Sequence, residues 1–357
     1  MLRDRTAKLS PLVRGVYHEF MTLQTDVRAG IEAILRNLEA VIVGKRAALE
    51  LAVSALLADG HLLIRDVPGV GKTMLARALA VSTGGIFKRI QCTPDLLPSD
   101  ITGGMVYDAR GGALRFVPGP VFANVVLADE LNRATPRTQA AFLEAMDERQ
   151  VTIEGAAHPL PTPFFLIATS TPLEQYGTYP LPEGQLDRFL ASASLGYPSA
   201  ADEVQIIERA ELAPPIERVG AVCDADAVLA MRAAARAVRI DRSLVAYAVD
   251  LAAATRTHSA VELGVSPRGS QGLTRLAQAW ALVRGRGYVL PDDLKHLAPS
   301  VFQHRLLTRA RTDDPAAVID EVLARVPIPG VPPVPNARGT SGAGPAPNPS
   351  TASGSGR

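Results

Sequence analysis

Short apolar segments alternate with stretches of helical periodicity over the first half of the chain. Apolar residues recur at helical spacing from Leu23 to Asp59, with an interruption near Val43–Gly44. Another helical pattern covers Thr135–Arg149. Short apolar runs bounded by turn residues predict five buried strands, namely His61–Ile64, Phe87–Cys92, Val125–Ala128, Phe164–Thr169 and Leu190–Leu195. This alternation predicts an α/β fold with a mostly parallel five-stranded sheet flanked by helices.

Two segments interrupt the alternation and have the pattern of β-hairpins. The first is Gly103–Phe116, with a predicted turn at Arg110-Gly111-Gly112. The second is Val151–Leu160, which we expect to turn at Gly155. Both are insertions into the predicted sheet scheme.

The character of the chain changes after Tyr197-Pro198. Helical periodicity then covers Ala200–Leu212, Ala225–Val238, Ser243–Thr257, Arg268–Arg284 and Pro291–Phe302, without a convincing strand. From Val326 the chain is rich in Pro, Gly and Ser and has too few large apolar residues to fold, so we predict a disordered tail. The predicted organisation is an N-terminal segment of uncertain order (1–22), an α/β core (23–197), a small all-helical domain (198–326) and the tail (327–357).

Composition narrows the class of protein. The 37 Lys and Arg residues balance the 36 Asp and Glu residues, so no basic surface for nucleic acid is indicated. Two distant cysteines, Cys92 and Cys223, argue against a disulfide framework or a zinc site. No apolar run has the length of a signal peptide or a membrane span, and we expect a cytoplasmic protein.

A glycine-rich loop lies between a predicted strand and a predicted helix. It comprises Asp66, Val67, Pro68, Gly69, Val70, Gly71, Lys72 and Thr73, followed by Met74 at the start of the helix. Gly69 and Gly71 can adopt positive φ and bring backbone N–H groups close to a polyphosphate. Lys72 would contact the β and γ phosphates, and the Thr73 hydroxyl would bind Mg²⁺. The loop is a candidate Walker A motif for ATP.

One residue departs from the strict Walker A pattern. Asp66 occupies the position of the first glycine. Because Asp tolerates a left-handed backbone better than most residues, we expect the turn to form there.

Two carboxylates follow the apolar strand Val125–Ala128. In a protein with a phosphate loop this arrangement indicates a Walker B motif. Asp129 would bind Mg²⁺, mostly through water, and Glu130 would orient and polarise the attacking water.

Together these segments resemble the MoxR family of AAA+ ATPases. The matching stretches are Asp66–Ala80, Ile90–Ile101, Ala128–Gln139, Gly177–Leu190 and Val265–Gly269, and the resemblance covers about residues 25–325. It implies an AAA+ core with a small helical lid domain, and a Mg²⁺-dependent ATPase. It also implies that Arg188 is an arginine finger acting on the neighbouring subunit, and that Arg268 is a sensor-2 residue touching the γ-phosphate of its own subunit.

The resemblance extends to the inserts and is weaker at one position. The two predicted hairpins match inserts that face the pore or a bound partner in related rings. At sensor 1 the family typically has Asn, whereas this chain has Thr171, whose shorter hydroxyl predicts intact binding and slower hydrolysis.

The implied function is ATP-driven, chaperone-like remodelling of partner proteins by a homo-oligomeric ring, expected to be a hexamer. The implied partners carry von Willebrand factor A domains. An alternative is a nucleotide-dependent assembly scaffold with little hydrolysis. A DNA-directed AAA+ protein is disfavoured by the balanced charge. The chain also lacks the Gly-Ala-Phe-Thr-Gly-Ala loop of sigma-54 activators and the Asn-Lys-x-Asp motif of GTPases.

Overall fold

A computed structural model describes residues 11–109, 112–170, 178–212, 214–310 and 313–330. For residues 11–25, Ala210 and Leu212, only the backbone is described. The helices are α1 (Pro11–Val41), α2 (Arg46–Leu57), α3 (Lys72–Ser82), α4 (Pro98–Thr102), α5 (Pro136–Glu148), α6 (Glu183–Leu186), α7 (Ala200–Leu212), α8 (Ala225–Ala237), α9 (Arg242–Arg256), α10 (Pro267–Val283), α11 (Pro291–Phe302) and α12 (Pro315–Arg325). The strands are β1 (Leu62–Arg65), β2 (Phe87–Gln91), β3 (Gly103–Asp108), β4 (Ala113–Pro118), β5 (Val125–Asp129), β6 (Gln150–Ile153), β7 (Ala156–Pro159), β8 (Phe165–Ser170), β9 (Ala191–Ala193), β10 (Val261–Leu263) and β11 (Leu307–Thr308).

The five predicted strands form one parallel sheet in the order β2-β5-β8-β1-β9. Alternate residues of each strand enter different cores. Leu62 and Ile64 pack with the core that includes α1, α2 and α3, whereas Leu63 packs with the core that includes α5. Because both faces are covered, a strand such as β5 is buried at every position, which explains its continuous apolar sequence. The predicted α/β class is confirmed.

The two predicted hairpins are present outside the main sheet. β3 pairs antiparallel with β4, and β6 pairs antiparallel with β7. The β6–β7 turn has positive φ at Glu154 (48°) and Gly155 (81°), the turn geometry that suits the twist of a hairpin. Arg110 and Gly111 of the first predicted turn lie outside the described residues.

The region after β9 is mostly helical. Helices α8, α9, α10 and α12 of this region have polar N-caps; Ser266, for example, accepts a hydrogen bond from the Gly269 N–H at 3.3 Å. Two features differ from the sequence-based expectation. The short strands β10 and β11 pair antiparallel, and the helix α12 follows them.

Helix α10 is the central element of this region and packs against α2, α8, α9 and α11. It therefore joins the helical region to the α/β core.

Among the described residues, no helix is both long enough and apolar enough to cross a membrane. The N-terminal segment predicted to end at residue 22 overlaps α1, which begins at Pro11, and residues 331–357 of the predicted tail lie outside the described part of the chain.

Candidate functional site

The phosphate loop connects β1 to α3 at the carboxyl end of the sheet. Its two predicted glycines adopt the expected left-handed backbone, with φ of 86° at Gly69 and 97° at Gly71. Gly71 is also the N-cap of α3, so the free N–H groups and the positive end of the helix dipole face the loop. A Cβ added at Gly69 would find no atom within 4 Å, which leaves open space beside the backbone. The loop has the backbone geometry of an anion cradle.

Lys72 is the first residue of α3. Its Nζ atom donates hydrogen bonds to the carbonyl oxygens of Asp66 at 3.0 Å and Val67 at 3.1 Å. The ammonium group is therefore folded over the loop, where a bound phosphate would compete with these two neutral acceptors.

The turn forms as expected, but without a left-handed backbone at Asp66. Asp66 is not among the described non-glycine residues with positive φ. Its buried carboxylate instead accepts hydrogen bonds from the N–H groups of Leu195 and of Gly196 (2.9 Å), and from the Ser194 hydroxyl (3.3 Å). It also accepts one from the Val67 N–H at 3.0 Å. Asp66 therefore ties the phosphate loop to the chain that leaves β9, a role that glycine could not perform.

Asp129 ends β5 and is almost fully buried at 8% exposure. Its Oδ1 atom accepts a hydrogen bond from the Thr169 hydroxyl at 2.7 Å. Its Oδ2 atom accepts from the Arg89 guanidinium, with distances of 2.6 Å to Nη2 and 3.0 Å to Nε. A cationic group thus contacts the carboxylate at which the sequence predicts the metal ion.

Glu130 follows in a left-handed conformation, with φ of 57°. Its N–H donates to the Thr169 hydroxyl at 2.8 Å. Its Oε2 atom accepts from Gln91 Nε2 and from Arg133 Nη1, each at 2.9 Å. Positive φ is uncommon for a non-glycine residue, and Glu130 lines the same cleft as the phosphate loop.

Arg89, Gln91 and Thr169 were not predicted as site residues. Each looks unremarkable on its own strand in the sequence. Because β2 and β8 flank β5 in the sheet, their polar side chains reach the two carboxylates. In the sequence, Arg89 and Gln91 are polar residues two positions apart on β2, so they should share one face of that strand. This spacing does not reveal which strand lies beside β2.

These groups line one cleft of about 310 Å³, bounded by Pro68, Gly69, Gly71, Lys72, Thr73, Met74, Arg89, Gln91, Asp129 and Glu130. The donor set fits Mg²⁺ and a polyphosphate: the cleft offers hydroxyl and carboxylate oxygens for a hard cation, and backbone N–H groups with an ammonium for the phosphates. Behind the cleft, burial and the neighbouring carboxylates Asp129 and Glu130 raise the pKa of the Cys92 thiol to about 12, so this thiol stays protonated.

The two predicted arginines lie together in a second cleft of about 390 Å³. Arg188 Nη1 lies 3.0 Å from Asp147 Oδ2, and Arg268 Nη2 lies 3.5 Å from Asp147 Oδ1. One carboxylate on α5 therefore bridges an arginine of the α/β core and an arginine of α10. We call this region the arginine cleft.

The arginine cleft lies at the end of the sheet where the parallel strands begin, which we call the amino edge. The Leu190 N–H donates to the carbonyl oxygen of His61, which precedes β1, at 2.9 Å, whereas the phosphate loop follows β1. The length of β1, roughly 13 Å at about 3.3 Å per residue, separates the two clefts. The Arg268 guanidinium lies beside Arg188, away from the phosphate loop of its own chain.

A second set of contacts holds the turn that contains Arg188 against the start of α10. Asp187 accepts a hydrogen bond from the Ser266 hydroxyl at 2.9 Å and from Arg305 Nε at 2.9 Å. Arg305 is buried, and this burial lowers the pKa of its guanidinium, while Asp187 opposes the shift. The turn and the helix are consequently held as one unit.

Thr171, the predicted sensor-1 residue, lies outside the described residues. β8 is described through Ser170, and its Thr169 hydroxyl is the group that contacts both Asp129 and Glu130.

The two hairpins contact each other through aromatic side chains. The rings of Phe116 in β4 and His158 in β7 stack with centroids 4.0 Å apart. Three large apolar side chains of the β3–β4 hairpin remain exposed: Val106, Tyr107 and Leu114. The pair of hairpins thus presents an apolar surface.

Comparisons with known proteins agree with this geometry. Residues 61–191 match a family model described as "ATPase family associated with various cellular activities (AAA)", and residues 253–324 match an AAA lid domain. The chain is 45% identical over 313 residues to the uncharacterized protein YeaC of Bacillus subtilis, covering 87% of this chain and 98% of that protein. It is 41% identical over 320 residues to Chaperone MoxR1 of Mycobacterium tuberculosis, covering 85% and 84%.

A solved structure has the same fold. It belongs to a proposed ATPase from Cytophaga hutchinsonii, is 35% identical and superposes with a TM-score of 0.82. The match covers 87% of this chain and 98% of the solved one.

Proposed function

Because the chain belongs to the MoxR family of AAA+ ATPases, we propose that it forms a homo-oligomeric ring that couples Mg²⁺-dependent ATP hydrolysis to the remodelling of partner proteins. The observation that carries the proposal is that the two clefts lie at opposite ends of the parallel strands of one sheet. A phosphate bound in one subunit can meet the arginines only of another subunit.

The phosphate loop would bind the nucleotide through residues 66–74. Backbone N–H groups around Gly69 and Gly71 would surround the phosphates, and Lys72 would exchange its carbonyl acceptors for phosphate oxygens. Thr73 and Asp129 would hold Mg²⁺, which neutralises charge on the phosphates when bound. For this, Arg89 must leave the Asp129 carboxylate it now contacts.

Glu130 would orient the attacking water and accept its proton. Its carboxylate accepts hydrogen bonds from the side chains of Gln91 and Arg133. Both partners are side chains that can rotate away, whereas the backbone of Glu130 is held by the Thr169 hydroxyl. The residue is fixed in place, and only its partners need to change.

Arg188 and Arg268 would both act on the neighbouring subunit. Cationic groups placed beside a transferring phosphoryl group stabilise its transition-state charge, and a single arginine finger is worth about 10³–10⁵ in rate in related phosphoryl-transfer enzymes. The proposal revises the expected role of Arg268 from the same subunit to the adjacent one.

The client would contact the paired hairpins. Their exposed Val106, Tyr107 and Leu114 form an apolar surface on an insert that contributes nothing to the main sheet. Family membership supports a hexameric ring and a partner with a von Willebrand factor A domain.

Mixing two variants tests the ring mechanism. Lys72→Ala subunits should not bind ATP but still present Arg188, and Arg188→Ala subunits should bind ATP but present no finger. Each alone should release little phosphate, and a mixture should recover part of the activity. Specific activity of the wild type should also rise with protein concentration. Full-rate hydrolysis by a dilute monomer would contradict the proposal, and ring assembly on ATP without phosphate release would support a scaffold instead.

A further inference from the structure

The arginine cleft contains more cationic than anionic groups. Its lining includes the guanidinium groups of Arg149, Arg188, Arg268, Arg275 and Arg305 and the carboxylates of Asp59, Asp147 and Asp187. Asp59 pairs with Arg149 at 3.2 Å, and Asp187 pairs with Arg305 at 2.9 Å. Within this lining, Asp147 is the carboxylate that contacts Arg188 and Arg268.

Asp147 is held on a rigid element. It lies in the last turn of α5, directly after the buried residue Met146. The Leu166 N–H donates to His61 Nδ1 at 3.0 Å, so the ring proton is on Nε2, which donates to the Met146 carbonyl at 3.2 Å. Burial lowers the pKa of His61, which therefore stays neutral in this role. The end of α5 is thus fixed to the amino edge of the sheet.

The two arginines come from different elements. Arg188 lies between α6 and β9 in the α/β core, and Arg268 lies in the first turn of α10. Two adjacent guanidinium groups repel each other, and long side chains lose rotamer freedom when they are held. A carboxylate between them offsets the repulsion and fixes both directions.

We propose that Asp147 is a positioning residue for hydrolysis in the adjacent subunit: its carboxylate holds Arg188 and Arg268 side by side, so that both are ready for a phosphate presented from outside. This inference rests on the proposed function. The side chains of Arg188 and Arg268 are 33% and 50% exposed, so an anion from a neighbouring subunit can approach them. Such preorganisation avoids reorientation at the moment of reaction.

Asp147→Asn tests the role of the charge. The variant keeps the shape of the side chain but cannot neutralise two guanidinium groups. The rate at saturating ATP should fall about tenfold to a hundredfold, the range expected when a catalytic group is misplaced, with little change in KM. Asp147→Glu should retain most of the activity.

The adjacent carboxylate supplies a matched control. Glu148 lies on the same helix turn, and its Oε2 atom accepts from Gln150 Nε2 at 3.2 Å. Glu148→Gln removes the same charge at almost the same place without removing a contact to either arginine. Its hydrolysis rate should remain within about twofold of wild type.

Mixing experiments separate a positioning role from a structural one. Asp147→Asn subunits bind ATP but present misplaced arginines, so they should recover activity with Lys72→Ala subunits, which present intact ones. They should not recover with Arg188→Ala subunits, because neither partner then supplies a working pair. A general folding defect would also abolish the recovery with Lys72→Ala and would lower ATP affinity.

Three results would overturn the inference: wild-type turnover in Asp147→Asn, recovery when it is mixed with Arg188→Ala, or no recovery with Lys72→Ala although the variant binds ATP and assembles. If Asp147→Asn does not fold, Asp147→Ser removes the same charge with a smaller side chain and is judged by the same criteria. Failure of the proposed function has a different signature, since Arg188→Ala would then hydrolyse ATP as wild type does.

Discussion

Replacing Asp66 by glycine separates the sequence pattern from the tertiary structure. The substitution restores the strict Walker A glycine, so the pattern alone predicts a neutral or favourable change. The structure predicts a loss of stability, because the Asp66 carboxylate is the acceptor for the N–H groups of Leu195 and Gly196 and for the Ser194 hydroxyl.

The magnitude follows from these contacts. A hydrogen bond to a charged group contributes about 1.5–3 kcal/mol, and a buried donor left without an acceptor costs a similar amount. Loss of the two N–H partners therefore predicts a decrease of about 3–6 kcal/mol in the free energy of unfolding. The added glycine increases the entropy of the unfolded chain and contributes about 0.5–1 kcal/mol more. This is a large part of a typical total of about 5–15 kcal/mol.

Urea unfolding without nucleotide, followed by far-UV circular dichroism, measures this change. Asp66→Asn is the matched comparison: it keeps one acceptor oxygen and should fall between wild type and Asp66→Gly. Titration with a fluorescent ATP analogue should show weaker binding by Asp66→Gly, because the phosphate loop is no longer tied to the segment after β9. If Asp66→Gly unfolds within about 1 kcal/mol of wild type, the carboxylate does not anchor the loop.

Three further outcomes are expected. Glu130→Gln should bind ATP normally and accumulate it unhydrolysed, because the amide cannot accept a proton; wild-type phosphate release would exclude Glu130 as the base. Thr171→Asn should raise the hydrolysis rate with little change in ATP affinity, and a lower rate would show that the site depends on threonine. The free energy of unfolding should decrease from pH 7.5 to pH 5.5. Burial lowers the pKa of His61 and His304 in the folded protein, whereas the same histidines in the unfolded chain have a pKa of about 6.5. Below that pH the unfolded chain therefore binds protons that the folded protein does not, which favours unfolding. A thermal unfolding midpoint that stays constant over this range would contradict that assignment.

Local patterns determined the main elements of the core. The apolar runs and helical spacings predicted all five sheet strands and α5, because burial on both faces of a parallel strand leaves a continuous apolar signature. The glycines of the phosphate loop and the acidic pair after β5 could also be predicted from the sequence. Their roles depend only on the end of a strand and on the residues that directly follow it.

Weak or short signals were missed. Strands β10 and β11 have three and two residues, too few for a period-two pattern. Helix α1 begins at Pro11, before the periodic region that starts at Leu23. The backbone of this segment is helical although its sequence alone did not indicate it.

Only the tertiary structure decided which side chains meet. Arg89 reaches Asp129 because β2 lies beside β5, and strand order is not encoded in the periodicity of either strand. Asp147 meets Arg188 and Arg268 because α5, the turn before β9 and the start of α10 converge at the amino edge of the sheet. Asp147 precedes Arg188 by 41 positions and Arg268 by 121 positions in the sequence, so packing of the whole chain is needed to bring the three together. The family resemblance identifies each arginine, whereas the fold places the two together at Asp147 in the arginine cleft.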